Sequence, residues 1–383
     1  MIYLDHNASS PLLPGVLREM QPDLEGGFGN PSSRHPMGMA SRERIERARS
    51  DARRALGAEA GQLLFASGGT ESVAMAFACG MSGERRTVVV SAVEHDCVLD
   101  SAMRWRQRGA DVIVLPVNRH GIADPDALEG LLRSHPAAFV SLIWVNNETG
   151  VIAPVADLGE VCRKHGALIH LDGVQAATRI ALDLDRVNWD YVSMAAHKFH
   201  GPKGAGLLLI RDGAPTSPVF GGHQEFGLRG GTENTAAIVG AAAALRMQPD
   251  WDVEAARQGG LRGRLEEGIL TRVPGATVNA SDTLRVKNTS NIFFPQRNAA
   301  DLVERLGRAG VCVSAGAACN SGNGKPSHVL LAMGLDYAHA NGSIRFSLGR
   351  GTSSAEIDQT IDIVCKIYES ALPTSEQYER HTW

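Results

Sequence analysis

The sequence predicts an α/β fold with a large, mostly parallel sheet and a smaller α+β unit. Three observations lead there. Seven short apolar runs recur between residues 63 and 210, helical patterns separate several of them, and the alternation breaks near Asp250 into fewer, mixed elements. Continuous apolar strands separated by helices read as parallel strands buried on both faces.

The strands fall at Leu63–Ala66, Thr87–Ser91, Val112–Pro116, Phe139–Val145, Ala167–Leu171, Tyr191–Ala195 and Gly206–Ile210. Met39–Leu56, Leu99–Arg108 and Val155–His165 carry helical patterns. Beyond Asp250 the sequence predicts a long helix from Val253 to Val273, a strand over Thr289–Phe294 and a helix over Ala300–Ala309. Short strands at Val311–Val313 and Ser343–Ser347 follow, then a closing helix Ala355–Ser370 with Thr352, Ser353 and Ser354 as N-cap candidates. Tyr3–Pro14 carries turn-formers and no helical pattern, and its residues alone fit either unit. The expected division is a large domain over 15–251 and a small domain over 1–14 with 252–383.

Composition narrows the function classes. With 383 residues, two to three domains and a large core are expected. Hydrophobic residues at 43% and charged residues at 21% exclude a largely disordered chain. No apolar run reaches the ~18 residues of a membrane span, and no signal-peptide pattern opens the sequence, so a cytoplasmic protein is expected. A net charge of −4 gives no nucleic-acid footprint. The six cysteines form no C-x-x-C pair, which argues against a zinc ribbon or thioredoxin-like motif; no metal is expected.

Chemistry concentrates where the apolar runs end. Lys198 follows Tyr191–Ala195, where desolvation makes an amine nucleophilic. A lysine that merely caps a strand accounts for it equally well when taken alone. Twenty-six residues upstream, Asp172 ends Ala167–Leu171. Lysine and carboxylate together suit pyridoxal phosphate, which needs an amine for a Schiff base and an acid for its pyridine nitrogen. Asp172 alone also reads as an Asx turn or N-cap. Ser67-Gly68-Gly69-Thr70 links a strand to a helical run, a place that favours a single phosphate. His95, Asn147 and Gln175 lie just past other strand ends, where open α/β sheets bind ligands; His95 also reads as a histidine in a βα turn. Cys319 sits in a run of small residues, Val313–Pro326, which favours access to a thiol; an incidental cysteine in a linker is the alternative. Arg345 on Ser343–Ser347 suits a substrate carboxylate, or equally a surface ion pair.

Ordered along the chain, Tyr3–Ala8, Phe28-Gly29-Asn30-Pro31-Ser32-Ser33, Asn146-Asn147-Glu148-Thr149-Gly150, Ala196-His197-Lys198, Arg229-Gly230-Gly231-Thr232-Glu233-Asn234, Gly316-Ala317-Ala318-Cys319 and Arg345–Arg350 resemble a known family. It is the cysteine desulfurases, the NifS/IscS-like branch of the class V aminotransferase-type enzymes. That resemblance implies fold type I, pyridoxal phosphate as cofactor, L-cysteine as substrate, a homodimer and a sulfur-acceptor protein. It implies that Lys198 carries the cofactor, His95 stacks on the ring and assists proton transfer, and Asp172 pairs with the ring nitrogen. Gln175 and Asn147 contact the ring oxygen or substrate. Gly69, Thr70 and His197 hold the phosphate, and Thr232 reaches the phosphate of the neighbouring subunit. Arg345 holds the substrate carboxylate, and Cys319 takes the substrate sulfur as a persulfide, releasing alanine. Departures from the pattern are Ala195 in place of a phosphate-binding serine, His223 and Phe226 in the glycine-rich run, the extra thiol of Cys97, and a Glu376–Trp383 segment unlike a scaffold-docking tail. The alternatives are a selenocysteine lyase, another C–S lyase or aminotransferase on the same scaffold, or a non-catalytic binding protein. The acceptor's pathway, whether cluster assembly, tRNA thiolation, cofactor sulfuration or a natural product, stays open.

Overall fold

The computed structural model describes residues 1–58, 61–316 and 326–370. A short strand β1 (Ile2–Tyr3) precedes helices α1 (Pro14–Glu25) and α2 (Pro36–Ala55). Strands and helices then alternate: β2 (Gln62–Ala66), α3 (Gly69–Gly80), β3 (Thr87–Ser91), α4 (Asp96–Gln107), β4 (Asp111–Leu115), α5 (Pro125–Ser134), β5 (Phe139–Ile143), α6 (Val155–Lys164) and β6 (Leu168–Asp172). Next come β7 (Tyr191–Ala195), β8 (Gly206–Ile210), α7 (Thr235–Arg246) and the long α8 (Trp251–Arg272). The remainder is β9 (Thr277–Val278), β10 (Thr289–Phe293), α9 (Ala299–Arg308), β11 (Val311–Cys312), α10 (His328–Ala332), α11 (Tyr337–Asn341), β12 (Ser343–Ser347) and α12 (Ser354–Ser370).

Seven strands form one sheet in the order β2-β8-β7-β6-β5-β3-β4. Only β8 runs against the others, pairing antiparallel with β2 and β7. The run β7-β6-β5-β3-β4 is parallel throughout, so a single rim collects its carboxyl ends. The apolar runs are explained by burial on both faces: β5, β7 and β8 are buried at every residue.

Helix α7 (Thr-Ala-Ala-Ile-Val-Gly-Ala-Ala-Ala-Ala-Leu-Arg) is buried from Thr235 to Leu245 and packs on α1 and α2. Small residues make that approach possible; a Cβ at Gly240 would meet Met20 Sδ at 2.6 Å. Sequence periodicity missed α7 because a helix that is apolar all round has no polar face to mark its period. It also missed α1, α5, α10, α11 and β9, which are short or carry proline near their starts.

A second apolar cluster gathers Ile2 and Leu4 with residues drawn from 261–368. Its sheets are the antiparallel β12-β10-β9 and the parallel pair β1-β11. Helix α12 begins at the capping box Ser353-x-x-Glu356: Glu356 N donates to Ser353 Oγ (3.3 Å), and Ser353 N donates to Glu356 Oε2 (2.8 Å). The expected Phe139–Val145 strand ends at Ile143. Val145 turns out of the sheet to bridge Ile152. No helix among the described residues is long and apolar enough to cross a membrane.

Candidate active site

The parallel register brings the strand ends together. Ile143 at the end of β5 pairs with Asp172 at the end of β6, and Asp172 pairs with Ser193 on β7. Past these ends lies a cavity lined by Gly69, Thr70, His95, Asn147, Asp172, Gln175, His197, Lys198 and Arg345. Among the described residues, every one expected at the site is there except Thr232. Thr232 lines a separate hollow with Ser67, Arg229 and Asn234. Cys319 lies outside the described residues.

Lys198 ends a one-turn 3-10 helix that follows β7 directly. Its Nζ donates to the carbonyls of Asn7 (2.8 Å) and Ala8 (2.9 Å). Ser10 Oγ and Arg179 Nη2 donate to the Lys198 carbonyl, fixing the backbone beneath the amine. Asp172 is buried, with Val174 N donating to Oδ1 at 3.0 Å. Burial pushes its carboxyl up, against the opposing pull of His95, that hydrogen bond and Lys198. Such a carboxyl gains from a cationic partner.

His95 caps α4: its Nδ1 accepts from Cys97 N at 3.1 Å, which is why α4 starts at Asp96, three residues earlier than its apolar pattern suggests. Gly69 opens α3, where main-chain N–H groups have no helical partner. A Cβ on Gly69 would come within 3.0 Å of Val174 Cγ2, so a glycine keeps this helix start close to β6. Burial, aided by Lys198 and Lys203, lowers His197 to about 4, so its ring lines the cavity uncharged near neutral pH.

Arg345 on β12 is 1% exposed. Nη2 donates to Asp5 Oδ1 (2.7 Å), Nη1 donates to the Asn147 carbonyl (2.9 Å), and buried Nε has no partner among the described residues. Both ends of the Gln175 amide are held by protein: Nε2 donates to the Asn7 carbonyl at 2.9 Å, and Oε1 accepts from Arg179.

Sequence reasoning missed Asn7 and Asp5 as site residues, and Arg179. Asn7 and Asp5 were visible only as part of the Tyr3–Ala8 motif. Arg179 carries no sequence signal, yet it is buried against Lys198, His6 and Gln175, and burial lowers it to about 9.

The aminotransferase class-V family model matches residues 2–360. A cysteine desulfurase of Cereibacter sphaeroides is 43% identical, covering 96% of each chain. The chain belongs to the class-V aminotransferase family, in its cysteine desulfurase branch. A Nostoc cysteine desulfurase is 39% identical, covering 96% of this chain and 93% of that one. A solved NifS-like protein superposes with a TM-score of 0.90 at 32% identity, covering 96% of this chain and 99% of the other. The enzymes of this branch are fold type I and depend on pyridoxal phosphate.

Proposed function

We propose that this chain converts L-cysteine to L-alanine at the cavity around Lys198 and passes the sulfur through Cys319 to an acceptor protein. One observation carries the reading: an amine (Lys198), a buried acid (Asp172), a helix N-terminus (Gly69–Thr70) and a buried guanidinium (Arg345) line one cavity although they span residues 69–345. That donor set fits pyridoxal phosphate. The start of α3, with Thr70 and His197, would hold the phosphate. Asp172 would accept a hydrogen bond from the pyridine nitrogen, a cationic partner for a carboxyl that burial otherwise disfavours as an anion. Lys198 would bind the cofactor through its amine.

Bound there, the cofactor supplies an electron-accepting ring that stabilises negative charge at the substrate α-carbon. The residues do the rest. Arg345 binds the substrate carboxylate and so fixes which face of the amino acid meets Lys198. Lys198, once its amine is free, takes the α-proton. Asn147 and His95 line the walls beside the reacting atoms. The Cys319 thiolate forms an S–S bond with the substrate sulfur as the Cβ–S bond breaks; the electron pair stays on carbon, which takes a proton and leaves as alanine. Thr232, exposed and outside the cavity of its own chain, would complete the phosphate site of a second copy in a homodimer. Free-thiol chemistry suits a reducing compartment, and we assign the chain to the cytoplasm.

The test incubates wild type and Cys319→Ala with L-cysteine and quantifies alanine, and sulfide released by a reductant. Alanine and sulfide from wild type alone support the reading. Equal release from both removes Cys319 from the sulfur path.

A further inference from the structure

Cys97 is the second residue of α4 and lines the cofactor cavity beside His95. Its main-chain N–H donates to His95 Nδ1 at 3.1 Å, and its Sγ lies 3.1 Å from the same nitrogen. A ring nitrogen that accepts from a main-chain N–H carries no proton itself. The thiol, in turn, sits where a thiolate is disfavoured. Burial pushes it up, and the nearby carboxyls of Asp172, Glu94 and Asp96 push the same way, outweighing the opposing pull of a hydrogen bond with the Thr70 side chain. A protonated thiol beside an unprotonated nitrogen donates to it. Two donors from one residue therefore converge on Nδ1.

We propose that Cys97 is a positioning residue for His95: it fixes the imidazole with its proton on Nε2, so that His95 meets cofactor and substrate as a hydrogen-bond donor and not as a base. Protonating Nδ1 sets the new N–H against the main-chain N–H and the S–H, losing both bonds at once. The other groups around the pair are Asp96 on α4, Glu94 just before it, Asp172, His197 and Lys198 across the cavity, Arg345 on β12, and His328 on α10. The inference rests on the proposed reading of this cavity as the pyridoxal phosphate site.

The test is nitrogen NMR of [15N]histidine-labelled protein incubated with pyridoxal phosphate, near neutral pH, with His95→Gln identifying the ring. Expected for wild type is an unprotonated Nδ1 and a protonated Nε2. In Cys97→Ala the tautomer with its proton on Nδ1 gains population about threefold, the equivalent of one weak hydrogen bond. Cys97→Ser, which keeps an O–H donor, returns it toward wild type. Cys97→Val removes the donor while filling the space, and stands in should Cys97→Ala fail to fold. A protonated Nδ1 in wild-type protein overturns the proposal, as does one tautomer ratio shared by wild type and the thiol-less variants. A wild type that shows the lock but takes up no pyridoxal phosphate, judged by its visible absorbance, overturns the reading of the cavity on which the proposal rests.

Discussion

Arg345 is already paired: its Nη2 sits 2.7 Å from Asp5 Oδ1, while its buried Nε has no partner among the described residues. Asp5 holds the guanidinium on the cavity wall, where the proposed grip on a substrate carboxylate would act. Arg345→Lys replaces a planar fork with a point charge. The expected result is a KM for L-cysteine raised roughly tenfold to a hundredfold, the worth of one charge-assisted pair. Cofactor absorbance should be retained. Steady-state kinetics with a spectral titration check this.

Lys198→Ala removes the amine that lies against the Asn7 and Ala8 carbonyls. Turnover should fall by at least about a hundredfold, the lower range for losing a positioned proton-transfer group. Borohydride should fix the cofactor covalently to wild type and not to the variant, as mass spectrometry of the intact chain reads directly.

Glu94 gives a pH prediction. It is fully buried, with Oε1 accepting from Ser91 Oγ and Ile143 N, and burial raises it from the ordinary 4.5 to about 8. Below about pH 4.5 folded and unfolded chains are both protonated there. Between 4.5 and 8 the unfolded chain releases a proton that the folded chain keeps, so stability falls as pH rises, by up to a few kcal/mol. Glu94→Gln keeps the Oε1 acceptor and has nothing to ionise. Its Tm should gain on wild type as pH rises from 5 to 8, measured by calorimetry; a constant difference refutes the assignment.

Glu148 meets the chain on both sides of the segment that carries Cys319. Ser327 Oγ donates to Glu148 Oε2 at 2.5 Å, and a Cβ on Gly316 would come within 3.3 Å of the same oxygen. Gly316 also has φ +67°, in the left-handed region. Gly316→Ala should cost about 1 kcal/mol of stability through that backbone conformation. It should lower kcat more than it changes KM, since it disturbs the backbone just before the segment that carries Cys319, the sulfur acceptor proposed above, and leaves Arg345 in place. Denaturant unfolding and kinetics separate the two effects.

Much of the large sheet was legible because burial on both faces leaves an apolar signature. Thr87–Ser91, Tyr191–Ala195 and Gly206–Ile210 fall where the apolar runs place them. Boundaries moved where a side chain decides them, as His95 does for α4. Lys198, Asp172 and Gly69 were readable because each ends or follows a strand whose position was readable. Arg179 was not, because its place depends on Gln175, His6 and Lys198 meeting in three dimensions. Asn7 contributes a carbonyl, which every residue type carries, so its identity gives no clue to that contact. The meeting of Cys97 Sγ with His95 Nδ1 needed the helix cap to be seen.

The opening strand has a consequence for the order in which the protein can finish folding. Ile2 pairs with Val311, Asp5 binds Arg345, and His6 N donates to the Ser347 carbonyl. The same segment supplies the carbonyls that receive Lys198 Nζ. These residues are made more than 300 residues ahead of those partners. A nascent chain can therefore assemble the seven-stranded sheet while the bed of its lysine is still missing. Competence to hold a reactive aldehyde is withheld until β11 and β12 have been made and have met that segment.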